Sequence, residues 1–167
     1  MKRRNRRNMT MGNFTSNQSP MRLGDAQKRD PRTQFAALPF RRKKDGLQIL
    51  LITSRVTGRW ILPKGWPIDA MTPAASAAQE AWEEAGIRGL VSEACIGFYS
   101  YSKTLPGGVP LPCITAVFPL EVRKLEDDYP EAGRRKRKWF TPAKAASTIS
   151  EPDLKKILRN FDPERVM

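Results

Sequence analysis

The sequence contains no histidine among its 167 residues. This absence excludes Ser-His-Asp and Cys-His nucleophilic catalysis, zinc sites built on histidine, and histidine as a general base. Acid–base and metal chemistry must therefore fall to Asp, Glu, Lys or Tyr side chains.

Cysteines and long apolar runs are also scarce. The two cysteines, Cys95 and Cys113, lack metal-ligand spacing and are typical of reduced thiols that pack as small hydrophobic side chains. No apolar run approaches the length of a membrane span, and the basic N-terminus is not followed by the hydrophobic segment of a secretory signal. We therefore expect a soluble, cytoplasmic protein with no membrane partner.

Basic residues are abundant. The chain has 30 Lys and Arg against 17 Asp and Glu, a formal net charge of +13. Such a balance predicts a polyanionic partner, whether a nucleic acid, a phosphate-rich small molecule or an acidic surface.

Residues 1–31 form a polar segment that begins Met-Lys-Arg-Arg-Asn-Arg-Arg. Because it has few large apolar residues to bury, we predict a disordered basic tail over 1–31 and a single folded domain over 32–167. The alternatives are an arm that binds nucleic acid or an anionic surface and, given the scarcity of acids, a transit peptide.

Strand-like segments lie on both sides of a central helix. Pro39 places the first strand at an edge or a bulge, and two short helices, capped by Thr141 and Ser150, close the chain. Strands, a helix, more strands and terminal helices predict an α/β (α+β) layered fold. The strand-like segments are 35–40, 47–53, 95–101 and 113–122.

The central helix has clear ends. Thr72 is a good N-cap, Pro73 suits the first helical position, and Gly86 supplies a C-terminal stop. Most residues between these marks are alanines, which are strong helix formers.

Three carboxylates share one face of this helix, Glu80, Glu83 and Glu84, and no Lys or Arg lies between 73 and 86 to neutralise them. A hard divalent cation would offset their repulsion. The alternative is a solvated acidic face. The opposite face is small and can approach a sheet closely, and it comprises Ala74, Ala78, Ala81 and Ala85.

The stretch 65–87 resembles the signature of the Nudix hydrolases, G-x5-E-x7-R-E-U-x-E-E-x-G-U, where U is a bulky aliphatic residue. The resemblance implies a mixed sheet between helices over about 34–161. It also implies a metal site at Gly65, Glu80, Glu83 and Glu84, with Mg²⁺ or Mn²⁺ as cofactor and the three acids as catalytic residues. The positions that match are Gly65, Glu80, Glu83, Glu84, Gly86 and Ile87.

Three signature positions depart from the pattern. Met71 replaces the first Glu, Gln79 the Arg, and Ala81 the aliphatic residue. In the family the first Glu and the Arg tend to pair, so their joint loss exchanges an ion pair for a neutral contact. We interpret this as a structural substitution.

A closer resemblance is to the diphosphoinositol polyphosphate phosphohydrolase branch, through segments 53–55, 59–63 and 135–140. That branch cleaves diphosphoinositol polyphosphates and diadenosine polyphosphates, which predicts a polyphosphorylated small-molecule substrate. In an extended segment, Arg135 and Arg137 point one way and their neighbours the other. The predicted substrate-binding residues are Arg32, Arg55, Lys64, Lys103, Arg135 and Arg137.

The resemblance implies that the protein catalyses metal-dependent hydrolysis of a phosphoanhydride. The general base is left open between a carboxylate of the helix and the loop acids Glu121, Glu126 and Asp127. The entry Gly65-Trp66-Pro67 departs from the glycine run usual in that branch, and it also occurs in Nudix enzymes acting on dinucleoside polyphosphates and RNA 5′ ends. RNA 5′-pyrophosphate hydrolysis is therefore an alternative, with stacking aromatics at Trp66, Tyr99 or Tyr101.

A second alternative belongs to another class of protein. A non-catalytic RNA-binding protein on a degenerate Nudix scaffold would use the basic tail and the run 134–138. Against it, the three acids would then have no reason to stay clustered.

Overall fold

The structure is a computed structural model that describes Pro20 and residues 32–167. The predicted tail, Pro20 apart, lies outside the described residues. The strands are β1 Thr33–Lys43, β2 Gly46–Thr53, β3 Trp60–Ile61, β4 Lys64–Gly65, β5 Ile87–Val91, β6 Gly97–Thr104, β7 Pro110–Leu125 and β8 Arg137–Phe140. The helices are α1 Pro73–Ala85, α2 Pro142–Thr148, α3 Pro152–Asn160 and the 3-10 turn Pro163–Arg165.

One mixed sheet contains all eight strands. Its central path runs β3-β2-β1-β7-β5, while β4 pairs with β1, β6 with β7 and β8 with β2. The long β1–β7 pairing is parallel, and the other pairings are antiparallel. The predicted α+β class is confirmed.

Helices cover both faces of the sheet. On one face α1 packs through buried alanines against Phe35, Leu50 and Phe118. On the other, Leu154 and Leu158 of α3 pack with Phe40 in a second apolar cluster. The small face of α1 is thus confirmed for Ala74, Ala81 and Ala85, while Ala78 is half-buried at its margin.

Pro39 lies in a central strand, so its expected place at an edge is wrong. The Ala37 N–H donates to the Pro63 carbonyl at 3.0 Å, and β1 resumes pairing at Phe40, opposite Ile49 of β2. N–H groups two residues apart in a strand point to the same side. On the side of the Ala37 N–H, β1 changes its partner from β4 to β2, and Pro39 lies in the interval between the two partners. Its missing N–H breaks no ladder there.

Other boundaries differ from the sequence-based expectation. Strand β5 was not expected, because Gly89 interrupts a short segment in which the register against β7 shifts. Strand β7 begins at Pro110, three residues before the expected start at 113, and Glu151 rather than Ser150 occupies the N-cap position of α3. In the part of the chain that the structure describes, no helix has both the length and the apolar content to span a membrane.

Candidate active site

Helix α1 begins and ends where the sequence indicates. The Thr72 side chain accepts a hydrogen bond from the Ala75 N–H at 3.1 Å, and Pro73 occupies the first turn. Gly86 adopts φ 66°, a left-handed conformation that glycine takes without strain, and its N–H donates to the Trp82 carbonyl at 2.9 Å. Because both ends of α1 are fixed, the helix face that carries Glu80, Glu83 and Glu84 is fixed as well.

Glu80 lies directly against the main chain of Gly65. A Cβ atom at position 65 would come within 2.1 Å of the Glu80 carboxyl carbon. Strand β4 is held at this place by pairing with β1, where Gly65 lies opposite Phe35. Glycine is needed here for close approach, since any side chain would displace the carboxylate.

Glu84 is a buried acid whose two oxygens both accept hydrogen bonds. Oε2 accepts from the Lys64 backbone N–H at 3.1 Å, and Oε1 accepts from Arg135 Nη2 at 2.9 Å. Burial raises the pKa of the Glu84 carboxyl above its usual value, and the charge of Arg135 opposes that rise. The picture of three carboxylates facing solvent is therefore wrong: Glu80 and Glu84 are buried within the fold.

Glu83 is half-buried and has a neutral partner. Its Oε1 accepts from Gln79 Nε2 at 2.7 Å, one helical turn away. Its backbone carbonyl accepts from the Glu131 N–H at 3.0 Å. Gln79 therefore orients Glu83 without a positive charge.

Arg135 and Arg55 meet at Glu131, next to these acids. Arg135 Nε donates to Glu131 Oε2 at 3.0 Å and Arg55 Nη1 to Glu131 Oε1 at 3.4 Å. The Arg135 side chain is 8% exposed and that of Arg55 is 51% exposed. One guanidinium is thus fixed inside the site, and the other lies at its rim.

Lys64 and Lys103 lie over aromatic rings on the other side of β4. Lys64 Nζ is 4.8 Å from the centre of the Tyr101 ring, and Lys103 Nζ is 4.9 Å from that of Trp66. Burial lowers the pKa of the Lys64 ammonium, while the nearby charge of Glu84 acts in the opposite direction. These cations extend the positively charged surface beyond the arginines.

The NUDIX domain model matches residues 30–161 of this chain. The chain belongs to the Nudix family.

Curated Nudix relatives match at about the same level. Nudix hydrolase 12, mitochondrial, of Arabidopsis thaliana is 30% identical over 118 residues, which is 69% of this chain and 58% of the relative. Diphosphoinositol polyphosphate phosphohydrolase 3-alpha of Mus musculus is 31% identical over 107 residues, 63% of this chain and 61% of the relative. The chain thus spans about three fifths of the length of these two relatives.

Solved Nudix structures share the fold. An Ap4A hydrolase from C. elegans superposes with a TM-score of 0.54 at 18% identity, covering 76% of this chain and 92% of that one. Identity at this level supports the architecture alone.

Two of the three altered positions of the Nudix signature, Met71 and Gln79, lie in one groove between α1 and β5. Met71 and Gln79 line it together with Trp82 and Arg88, and its volume is about 350 Å³. The guanidinium carbon of Arg88 lies 3.5 Å from the centre of the Trp82 ring. Met71 and Gln79 are therefore neighbours in space, as expected if they replace two residues that form an ion pair in the family.

The donor chemistry at α1 fits a hard divalent cation. Carboxylate oxygens of Glu80, Glu83 and Glu84, with the main chain at Gly65 beside them, are the ligands that Mg²⁺ and Mn²⁺ prefer. Within residues 32–167, no three Asp, Glu or Cys side chains already converge closely enough to hold a metal ion. Both Glu84 oxygens already accept hydrogen bonds, from the Lys64 N–H and from Arg135.

Arg137 and Arg32 lie apart from the Nudix acids. Arg137 Nη1 donates to the carbonyls of Ala85 and Glu126 at 2.9 and 2.8 Å, so its guanidinium closes the C-terminal end of α1. Arg32 is exposed just before β1, where its carbonyl accepts from the Ile114 N–H. Alternation places Arg137 on the same side as Arg135, but substrate binding by Arg137 and Arg32 stays a prediction.

Of the three acids considered as general base, Glu121 lies in β7 rather than in a loop. It pairs in register with Phe40, about 17 Å along β1 from the level of Gly65, and binds Arg42 at 2.9 Å. Glu126 and Asp127 lie near the end of α1, where Arg137 contacts both residues. Position therefore does not support Glu121 as the base.

Two acids that sequence reasoning missed lie within the site. Glu131 links Arg135 and Arg55, and Glu151 is a buried residue before α3. Glu151 makes no capping hydrogen bond and instead accepts one from Arg59 Nη1 at 3.5 Å. Its negative charge also opposes the lowering of the Lys64 pKa by burial. A sequence signal existed only for Glu151, as an acid directly before a helix-starting proline.

Proposed function

We propose that this chain is a divalent metal-dependent pyrophosphohydrolase that cleaves a phosphoanhydride bond in a polyphosphorylated small molecule. The observation that carries the proposal is the placement of Glu84. This buried acid of the Nudix helix is held between the Lys64 N–H and Arg135, one helical turn from Glu80 at Gly65. Acidic side chains that can bind a cation and basic side chains that can bind phosphate thus lie together.

Each residue of the candidate site has a role in this proposal. Glu80, Glu83 and Glu84 hold Mg²⁺ or Mn²⁺, which when bound polarises the phosphoryl oxygens and lowers the pKa of water. Gly65 leaves room for the Glu80 carboxylate. Arg55 at the rim pairs with substrate phosphates, as a planar guanidinium can do in a bidentate manner.

The first substrate candidate is a diphosphoinositol polyphosphate. One relative carries this activity in its name and is 31% identical over 63% of this chain. Trp66 and Tyr99 are buried, and Lys64 covers the Tyr101 ring, so the aromatic residues available for stacking a nucleobase are already packed. Recognition of the substrate by its phosphate charge is consistent with this packing.

The second candidate is a diadenosine polyphosphate, and Glu151 favours it. This buried carboxylate near Lys64 accepts hydrogen bonds, whereas a fully phosphorylated inositol ring has no hydroxyl to donate. A ribose hydroxyl or an adenine amine can donate. Glu151 therefore distinguishes the two substrate classes.

Three further expectations remain proposals. Nucleic-acid binding by the tail involves residues outside the described part, and for RNA 5′-pyrophosphate hydrolysis the stacking candidates Trp66, Tyr99 and Tyr101 are already packed as described above. A cytoplasmic location is also a proposal, and the Arabidopsis relative is named as mitochondrial.

The test is Mg²⁺-dependent turnover by the full chain and by a chain lacking 1–31. The substrates are a diphosphoinositol polyphosphate, diadenosine pentaphosphate and triphosphorylated RNA. Preference for the inositol substrate supports the first candidate, and preference for the dinucleotide, reduced in Glu151→Gln, supports the second. Absence of turnover in a folded protein would contradict the enzyme proposal; RNA binding that survives Glu84→Gln and needs the tail would then favour the binding-protein alternative.

A further inference from the structure

The guanidinium of Arg135 is held on three sides. Nε donates to Glu131 at 3.0 Å, Nη1 to the Thr53 carbonyl at 3.2 Å, and Nη2 to Glu84 at 2.9 Å. The side chain is almost fully buried. A guanidinium in this position is a fixed positive charge at the Nudix acids, since Arg does not lose its proton in proteins.

The contact with Glu84 affects what else that acid can bind. One Glu84 oxygen already accepts from the Lys64 N–H, so Arg135 engages the other. A divalent cation at Glu84 would share a carboxylate whose two oxygens each already accept a hydrogen bond, and it adds like charge a few ångströms from the guanidinium. Arg135 and the cation therefore compete for one carboxylate.

Glu131 binds the same guanidinium. Its carboxylate contacts Arg135 through one oxygen and Arg55 through the other, and its N–H donates to the Glu83 carbonyl. Glu131 and Glu84 thus share the charge of Arg135, and Glu131 is tied to the same helix as Glu84. The charge of Glu131 weakens the hold of Arg135 on Glu84.

We propose that Arg135 is a positioning residue that orients Glu84 while competing with the catalytic cation for it, and that Glu131 sets the strength of this competition. The inference rests on the metal dependence proposed above. It predicts that losing Arg135 strengthens cation binding while it impairs catalysis, because Glu84 is then accessible but poorly oriented. A merely structural residue would weaken both when it is removed.

The experiment measures Mn²⁺ affinity directly, by counting free Mn²⁺ in its paramagnetic resonance signal, with the full chain and no substrate. We expect Arg135→Gln to bind Mn²⁺ about tenfold more tightly and Glu131→Gln to bind it severalfold more weakly than wild type. Arg134→Gln is the matched control, since it removes the same charge from the exposed neighbouring position and should change affinity less than about twofold.

The outcomes separate this inference from the proposed function. Unchanged or weaker Mn²⁺ binding in folded Arg135→Gln, with normal binding by wild type, would overturn the inference alone. Absence of Mn²⁺ binding in wild type would overturn the proposed function. If Arg135→Gln fails to fold, Glu131→Gln decides, and unchanged or tighter binding by that variant would overturn the inference.

Discussion

The α-carbon of Gly65 lies against the carboxylate of Glu80, so that a methyl group at position 65 would overlap it. The pairing of β4 with β1 fixes the glycine, and α1 fixes the acid. Two residues that are 15 positions apart in the chain are thereby brought together at the proposed metal site. The glycine of the Nudix signature contributes here by leaving space for the Glu80 carboxylate.

Gly65→Ala tests this close approach. The added methyl group pushes the Glu80 carboxylate away while the fold persists, because the atoms it meets are the end of a side chain. We expect turnover to fall about 100-fold and the melting temperature to fall by only a few degrees. Turnover and Mn²⁺ titrations with melting curves check this, and the double variant with Glu80→Asp, whose acid is shorter, should recover part of the loss. Wild-type turnover in Gly65→Ala would contradict the role given to the glycine.

Gln79 is expected to orient Glu83 through its 2.7 Å hydrogen bond. Gln79→Ala should lower turnover by about threefold to tenfold, with a stability change of about 1 kcal/mol or less. Steady-state kinetics and denaturant unfolding measure the two effects. Equal turnover in wild type and Gln79→Ala would show that the hydrogen bond does not orient Glu83.

The altered signature positions are predicted to be a structural exchange. The double variant Met71→Glu with Gln79→Arg should then change turnover by less than about threefold, since it replaces one neutral arrangement in the α1–β5 groove by one ion pair. A rise of two orders of magnitude would instead mean that the natural residues had weakened the enzyme.

The raised pKa of Glu84 predicts how stability depends on pH. Between its usual value of 4.5 and the higher folded value, the native state binds more protons than the unfolded state. The free energy of unfolding of the metal-free protein should therefore fall as pH rises through this window. Urea unfolding at several pH values checks this, with Glu84→Gln as comparison, and an equally steep fall in that variant would assign the effect to other groups.

The sequence predicted the elements whose signals are local. Thr72, Pro73 and Gly86 marked both ends of α1, and short apolar runs marked β1 and β2. Alternation also predicted that Arg135 and Arg137 point to one side and Arg134 to the other, and the structure shows the first two half-buried and Arg134 exposed. In each case the deciding interaction lies within a few residues.

Contacts between distant segments were not predictable. The burial of Glu84 depends on Arg135, 51 positions later, which reaches it only because β8 pairs with β2. Glu131 and Glu151 enter the site by the same kind of packing, and only Glu151 has a local signal, as an acid directly before a helix-starting proline. Pro39 was misplaced because its tolerance depends on where β1 changes partner.

The most direct test is the Mg²⁺ dependence of turnover of a diphosphoinositol polyphosphate and of diadenosine pentaphosphate, in wild type and Glu84→Gln. Asp45→Asn, in the exposed turn between β1 and β2, is the control for loss of one carboxylate. We predict Mg²⁺-dependent hydrolysis of at least one substrate by wild type and the control, and a loss of about three orders of magnitude or more in Glu84→Gln with the fold retained. Near-normal turnover in folded Glu84→Gln would remove Glu84 from the catalytic site.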